Sequence, residues 1–238
     1  MDINAQDQGP HAEPPTGEPA MPALAHVDTW IFDLDNTLYP ATSALFSQID
    51  RRMGGFIADL LDIDAATARR LQKDYFLRYG TTLRGLMLEH GVAPEAFLAH
   101  VHDVDLDAIT PDPRLGRALA GLRGRCIVYT NGSARHAERV LARLEIAHLF
   151  EGVFDLVAAD YEPKPAASSF DRFLAAFSIE PARAAMIEDM ARNLVPAAAR
   201  GVTTVWLRTA YAWGAVDHEA AAVDHEVTDL AGFLEAQA

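Results

Sequence analysis

The chain has 238 residues, half of them apolar and 23% charged, with a formal net charge of −14. That is material for a sizeable core, in one domain with an insertion or in two small domains, and the negative balance with scattered Lys and Arg excludes a general nucleic-acid binder. The single cysteine, Cys126, rules out an intrachain disulfide and reads as a buried, inert thiol in a reducing, cytoplasmic setting.

Residues 1–24, rich in Pro, Gly and Glu, read as a disordered tail. They have neither a basic start nor an apolar stretch, and no segment of the chain approaches the length of apolar sequence that spans a bilayer, so neither secretory signal nor membrane anchor is expected. The first strand is TWIFDL from Thr29. About ninety residues then carry helical patterns without a strand, broken at 62–64, at Gly80 and at 91–94. They read as four helices of an inserted cap over 41–111. The segment ITPDPRLGRAL leads the chain back through a Pro-bounded helix start.

Four further apolar runs follow, RCIVYT, GVFDLVAA, AAMIED and GVTTVWL, with amphipathic helices expected over 135–144 and 168–177. Strands this uniformly apolar, separated by helices, form a parallel sheet covered on both faces. The fold class is therefore α/β, a doubly wound parallel sheet over 25–40 and 112–238 with a helical insertion. The closing stretch AVDHEAAAVDHEVTDL reads as an exposed loop and short helix.

Ligands of such sheets bind beyond the carboxyl ends of the strands. There the sequence places Asp33, Asp35 and Thr37; then Thr130, Asn131 and Gly132; then Lys164; then Glu188 and Asp189. Two aspartates as close as Asp33 and Asp35 repel each other unless a cation or a proton intervenes. Clustered carboxylates suit a partly hydrated Mg²⁺ shared with a substrate phosphate, held by Asp33, Asp189 and, directly or through water, Glu188. A hydroxyl, a Thr-Asn-Gly turn and an ammonium group can stabilise the oxygens of a transferring phosphoryl group. One aspartate then serves as nucleophile and the other carries a proton for the leaving oxygen.

Over 27–207 these residues resemble the four motifs of the haloacid dehalogenase superfamily. For its phosphatases the resemblance implies that Asp33 attacks phosphorus, that Asp35 acts first as acid and then as base while its carbonyl binds Mg²⁺, and that the insertion is a C1 cap. DLDNTLYP, YGTTLRGL, TNGSARHAERVLARLEIAHLFEGVFD, KPAASSFDRFL and IEDMARNLVPAAARGVTTVWL are similar to the pyrimidine 5′-nucleotidase branch, which implies nucleoside monophosphates such as UMP and CMP as substrates. Sugar phosphates, phosphoglycolate and pyridoxal phosphate are the alternatives. A dehalogenase and a non-enzymatic phospho-acceptor are the rival classes, and a mutase shares the same motifs. A halide needs no acid to leave, so Asp35 separates the first rival from a phosphatase.

Several residues carry competing readings. Thr37 is a turn cap or part of the site, and Asn193 a brace for the motif loops. Tyr79 could stack a base or simply pack the insertion, and Arg84 could meet phosphate or a ring carbonyl. His100, His102 and Asp103 read as a solvated helix end, since the sequence nearby lacks the further ligands zinc needs. His136 reads as a helix-start or packing residue.

Overall fold

The computed structural model describes residues 24–209 and 213–238; of the tail read over 1–24, only Leu24 is among them. Among the described residues six parallel strands, β1 (Thr29–Phe32), β2 (Arg125–Tyr129), β3 (Phe150–Phe154), β4 (Ala184–Glu188), β5 (Thr203–Leu207) and β6 (His225–Val227), lie in the order β3-β2-β1-β4-β5-β6. β1 is central, with Ile31 opposite Ile127 on β2 and Met186 on β4. Successive strands move outward from β1 first on one side and then on the other, which opens a crevice at the carboxyl ends of β1 and β4.

The doubly wound parallel sheet inferred from the apolar runs is present. Trp30 and Phe32 enter one buried cluster and Ile31 the opposite one. Alternating side chains of one strand thus pack on both faces, as strands of a covered sheet must. The polar C-terminal stretch departs from its expected form. It contributes β6, whose Val227 pairs with Leu207 and is buried. An edge strand needs a partner on one side only, so three residues with a single buried side chain suffice.

Between β1 and β2 run α1 (Ala44–Leu61), α2 (Ala65–Tyr79), α3 (Thr82–His90) and α4 (Pro94–Val101), after which α5 (Pro113–Gly121) returns to the sheet. Local chemistry sets their limits. Asp64 caps α2 by accepting from the backbone N–H groups of Ala66 and Thr67, a contribution of about 1 kcal/mol. Gly80 ends the helix at φ 84°, where a side chain would be strained. At Gly85 a Cβ would fall 2.4 Å from Tyr75 Cγ, so the ring of α2 seats directly on the α3 backbone. The remaining helices, α6 (Ala134–Arg143), α7 (Ala167–Ala176), α8 (Val195–Ala198) and α9 (Leu230–Glu235), flank the sheet. Among the described residues no helix is long and apolar enough to cross a membrane.

Candidate active site

The crevice is built from strand ends. Asp33 directly follows β1, and its N–H donates to Ile187 O of β4 (2.9 Å), which extends the ladder and fixes the backbone. The chain must then turn sharply. Asn36 adopts φ 65°, a left-handed conformation that asparagine tolerates better than most residues, and Thr37 folds back so that its hydroxyl donates to Asp33 Oδ2 (3.1 Å). Thr37 thus bonds a site residue directly.

Lys164 lies at the bottom of the crevice, 2% exposed. Its ammonium donates to Asp33 Oδ1 (2.7 Å), Glu188 Oε2 (2.7 Å) and Tyr129 O (2.9 Å). Burial alone would push this amine down, but the charges of Asp33 and Glu188 outweigh it and hold the group above its ordinary value. Asn131 fixes the loop, because its Oδ1 accepts from Lys164 N (2.8 Å) and its Nδ2 donates to Lys164 O (3.3 Å). The side-chain amide of Asn131 is therefore committed to the lysine backbone, while the residue itself lines the cavity. Thr130 Oγ1 accepts from Gly132 N (2.9 Å), which tightens the turn beyond β2.

Asp33, Glu188 and Asp189 offer carboxylate oxygens that all lie within 4.8 Å of one another, and all three are buried. Burial and then the charge of Glu188 push Asp33 up to about 7, against the pull of Lys164. Asp189 is pushed well above the carboxylate range by burial and by the charges of Asp33 and Glu188, and its Oδ2 is buried without a partner. One ammonium is too little compensation for these charges, and an orphaned carboxylate oxygen among them fits a hard divalent cation. Glu188 is less available. Its Oε2 holds Lys164 and its Oε1 accepts from Met190 N (3.2 Å).

Asp35 stands apart from this cluster. Its Oδ1 accepts from Tyr39 OH (2.5 Å) and lies 3.0 Å from His136 Nε2. Burial pushes Asp35 up, yet the charge and hydrogen bond of His136 and the bond from Tyr39 outweigh it and hold the carboxyl below its ordinary range.

The haloacid dehalogenase-like hydrolase profile matches residues 27–201. The chain belongs to that family. Phosphate metabolism protein 8 of Saccharomyces cerevisiae is 28% identical over 134 residues, which are 52% of this chain and 42% of the yeast protein. The L-2-haloacid dehalogenase of Xanthobacter autotrophicus with covalently bound chloropropionic acid superposes with a TM-score of 0.56 at 14% identity, covering 87% of this chain and 97% of that one. A magnesium-bound HAD-hydrolase of Bacillus subtilis gives 0.57 at 13% identity over 89% and 98%, and a HAD phosphatase of Thermococcus onnurineus 0.56 at 17% over 84% and 93%. At such identities the solved structures share the fold with this HAD-like chain.

Over the crevice the helical insertion closes a cavity lined on its side by Phe46, Asp50, Lys73, Phe76, Thr81 and Leu83. Two residues expected at the substrate do not line this cavity. Tyr79 and Arg84 line a separate concavity beside Pro163 and Pro165. Thr81 caps α3 by accepting from Arg84 N (3.1 Å), and that start sets the helix phase so that Thr82 and Leu83 face inward while Arg84 is turned away. The Tyr79 hydroxyl is taken up by neighbours of the insertion, donating to Glu89 and accepting from Arg78 Nη2 (2.9 Å). Arg84→Ala is thus expected to leave kcat/KM within about twofold of wild type in steady-state assays, as for ordinary surface changes.

Sequence reasoning also missed contributors. His102 is buried, not solvated, and its ring stacks on His136 with centroids 4.3 Å apart. Burial and then the charge of His136 push it down to about 3. Its neighbours His100 and Asp103 instead pack on Phe56 and pair with Arg52. Arg192 spans core and insertion, donating to Gly80 O (3.3 Å) and lying 4.3 Å over the Phe76 ring. Asn193 lines the cavity, with its Oδ1 buried and unpartnered.

Proposed function

We propose that this hydrolase is a Mg²⁺-dependent phosphomonoesterase that works through an aspartyl-phosphate on Asp33. The observation that carries the reading is Asp35: its Oδ1 is held by two donors, while its Oδ2 makes no hydrogen bond among the described residues and lies beside the Gly132 backbone, where an added Cβ would be 3.7 Å away. A fixed second carboxylate with one free oxygen serves a leaving group that needs a proton. A departing halide would gain nothing from it, and the acidic cluster would repel both halide and substrate carboxylate.

Mg²⁺ held by Asp33 and Asp189 would neutralise these carboxylates and the phosphate oxygens when bound. Asp33 attacks phosphorus as the ester P–O bond breaks, and Asp35 gives its proton to the departing oxygen. Water then attacks the phosphorus of the aspartyl-phosphate, Asp35 takes the proton, and Asp33 is released with inorganic phosphate. An approaching phosphate adds negative charge beside Asp35 and shifts that carboxyl upward from its resting state. Lys164 fixes the nucleophile through its bond to Asp33 Oδ1, and the Thr130 hydroxyl, whose oxygen accepts from Gly132 N, keeps its own proton to donate beside the reacting centre.

The substrates we favour are nucleoside monophosphates such as UMP and CMP, hydrolysed in a reducing cytoplasm. Support comes from the motif resemblance and from the mixture of the Phe46 and Phe76 rings with Asp50 and Lys73 under the insertion, which suits a ring bearing polar groups. Burial pushes the Cys126 thiol up to about 12, as fits an inert thiol. A phosphate-release screen with Mg²⁺ tests the reading against UMP, CMP, sugar phosphates, phosphoglycolate and pyridoxal phosphate, with L-2-chloropropionate as the halide control. Halide release without phosphate release would overturn it.

Metal removal provides a second test. EDTA should silence phosphate release, and Asp189→Ala should raise the Mg²⁺ concentration for half-maximal rate by roughly 10–100-fold or more. Undiminished activity in chelator would refute the metal dependence.

A further inference from the structure

His136 does not line the cavity, yet it is fully buried and its Nε2 lies 3.0 Å from Asp35 Oδ1. Its ring is held in place from the insertion side. His102, which ends α4, stacks on it at 4.3 Å with an interplanar angle of 10°. His102 Nδ1 lies 2.9 Å from Oγ of Ser133, the residue that caps α6, and His102 O accepts from Arg139 Nη1 (2.9 Å). The end of the insertion, the start of α6 and Asp35 therefore form one connected block.

The torsion that turns a carboxylate about its Cβ–Cγ bond has a broad energy profile. A single donor such as Tyr39 leaves the second oxygen free to swing. Two donors converging on Oδ1 from different elements remove that freedom and leave Oδ2 aimed past Gly132, whose missing side chain keeps the space open.

We propose that His136 is a positioning residue for Asp35: through its Nε2 contact, and backed by His102 from the insertion, it holds the carboxylate with Oδ2 turned toward the leaving oxygen. This rests on the reading of Asp35 as the acid–base group. A residue that only packs the core would affect all substrates alike. One that aims the acid matters most where the leaving group most needs a proton.

The test compares kcat/KM for phenyl phosphate, whose leaving phenolate is strongly basic, with p-nitrophenyl phosphate, whose leaving group departs with little help. In a covalent phosphoenzyme mechanism this parameter reports the steps through ester cleavage and is unaffected by the later attack of water. His136→Phe keeps a ring against His102 but removes the nitrogen. It should lower kcat/KM for phenyl phosphate by roughly 10–100-fold, no more than the lower end of the roughly 10²–10⁴ contribution of the acid–base group it positions, and for p-nitrophenyl phosphate by less than about threefold. His136→Gln, whose amide can reach Asp35, should recover most of the loss.

Asp35→Asn is the reference and should show the same selectivity, more strongly. If Asp35→Asn is selective but His136→Phe slows both substrates equally, or neither, the positioning role is wrong while the acid–base reading stands. If Asp35→Asn itself spares phenyl phosphate, that reading fails. Should His136→Phe not melt cooperatively, His136→Asn, whose shorter amide stops short of Asp35, takes its place under the same criteria.

Discussion

Replacing Asp33 with Asn should lower kcat by at least about a thousandfold, roughly 4 kcal/mol of barrier, while the protein stays folded. The amide is nearly the same shape but cannot attack phosphorus or offset a cation. Structure should survive because Asp33 is under electrostatic load. Burial and Glu188 push its carboxyl up to about 7, above the value of 3.8 expected in the unfolded chain. The sign follows from that order: the folded state favours the protonated form, so this group's contribution is fully present below pH 3.8 and is lost as pH rises through about 7. With chelator present, the Asn variant, which keeps its neutral amide throughout, should therefore gain stability relative to wild type as pH rises across that window. Melting curves between pH 5 and 8 with EDTA check this, and steady-state phosphate release checks the rate. Activity within tenfold of wild type would remove Asp33 as nucleophile.

Lys164→Met should affect stability as well as rate. Its ammonium is the shared partner of Asp33 and Glu188 at 2.7 Å each, and all three side chains are buried. Removing one partner from a buried ionic group leaves the others uncompensated, at a cost of about 3–5 kcal/mol. For a protein of this size that corresponds to a fall in Tm of roughly 6–20 °C. Adding Glu188→Gln to Lys164→Met removes one orphaned charge and should restore part of the loss. If the single variant melted within a degree or two of wild type, the lysine would not be the group that compensates these carboxylates.

Much of this arrangement was legible in the sequence because it lies in the backbone. Asp33, Thr130, Lys164 and Asp189 each come directly after a strand or in the loop that follows one, and the sheet converges those ends whatever the side chains do. The breaks between the four helices of the insertion were likewise marked by Asp64, Gly80 and Gly91. What escaped depends on helix phase and long-range packing. The position of Thr81 as cap decided that Leu83 faces the cavity and Arg84 does not. Asn131 had a backbone to hold, 33 positions away, that its spacing could not reveal. His136 meets Asp35 across 101 positions and His102 meets Ser133 across 31. The first pair exists only once α6 has packed beside the β1 loop, and the second only once the insertion has docked on α6. β6 was hidden for another reason, because a three-residue edge strand leaves almost no periodic signal.

In the proposed reaction phosphorus passes through a covalent bond to Asp33. Acid-quenching the protein during turnover of p-nitrophenyl phosphate in heavy-oxygen water, followed by peptide mass mapping, tests it most directly. A phosphoryl group on the peptide containing Asp33, absent from the Asp33→Asn protein, with heavy oxygen recovered in the released phosphate, is the predicted result. Phosphate release with that peptide unmodified at every quench time, or heavy oxygen incorporated into the Asp33 carboxylate, would contradict it.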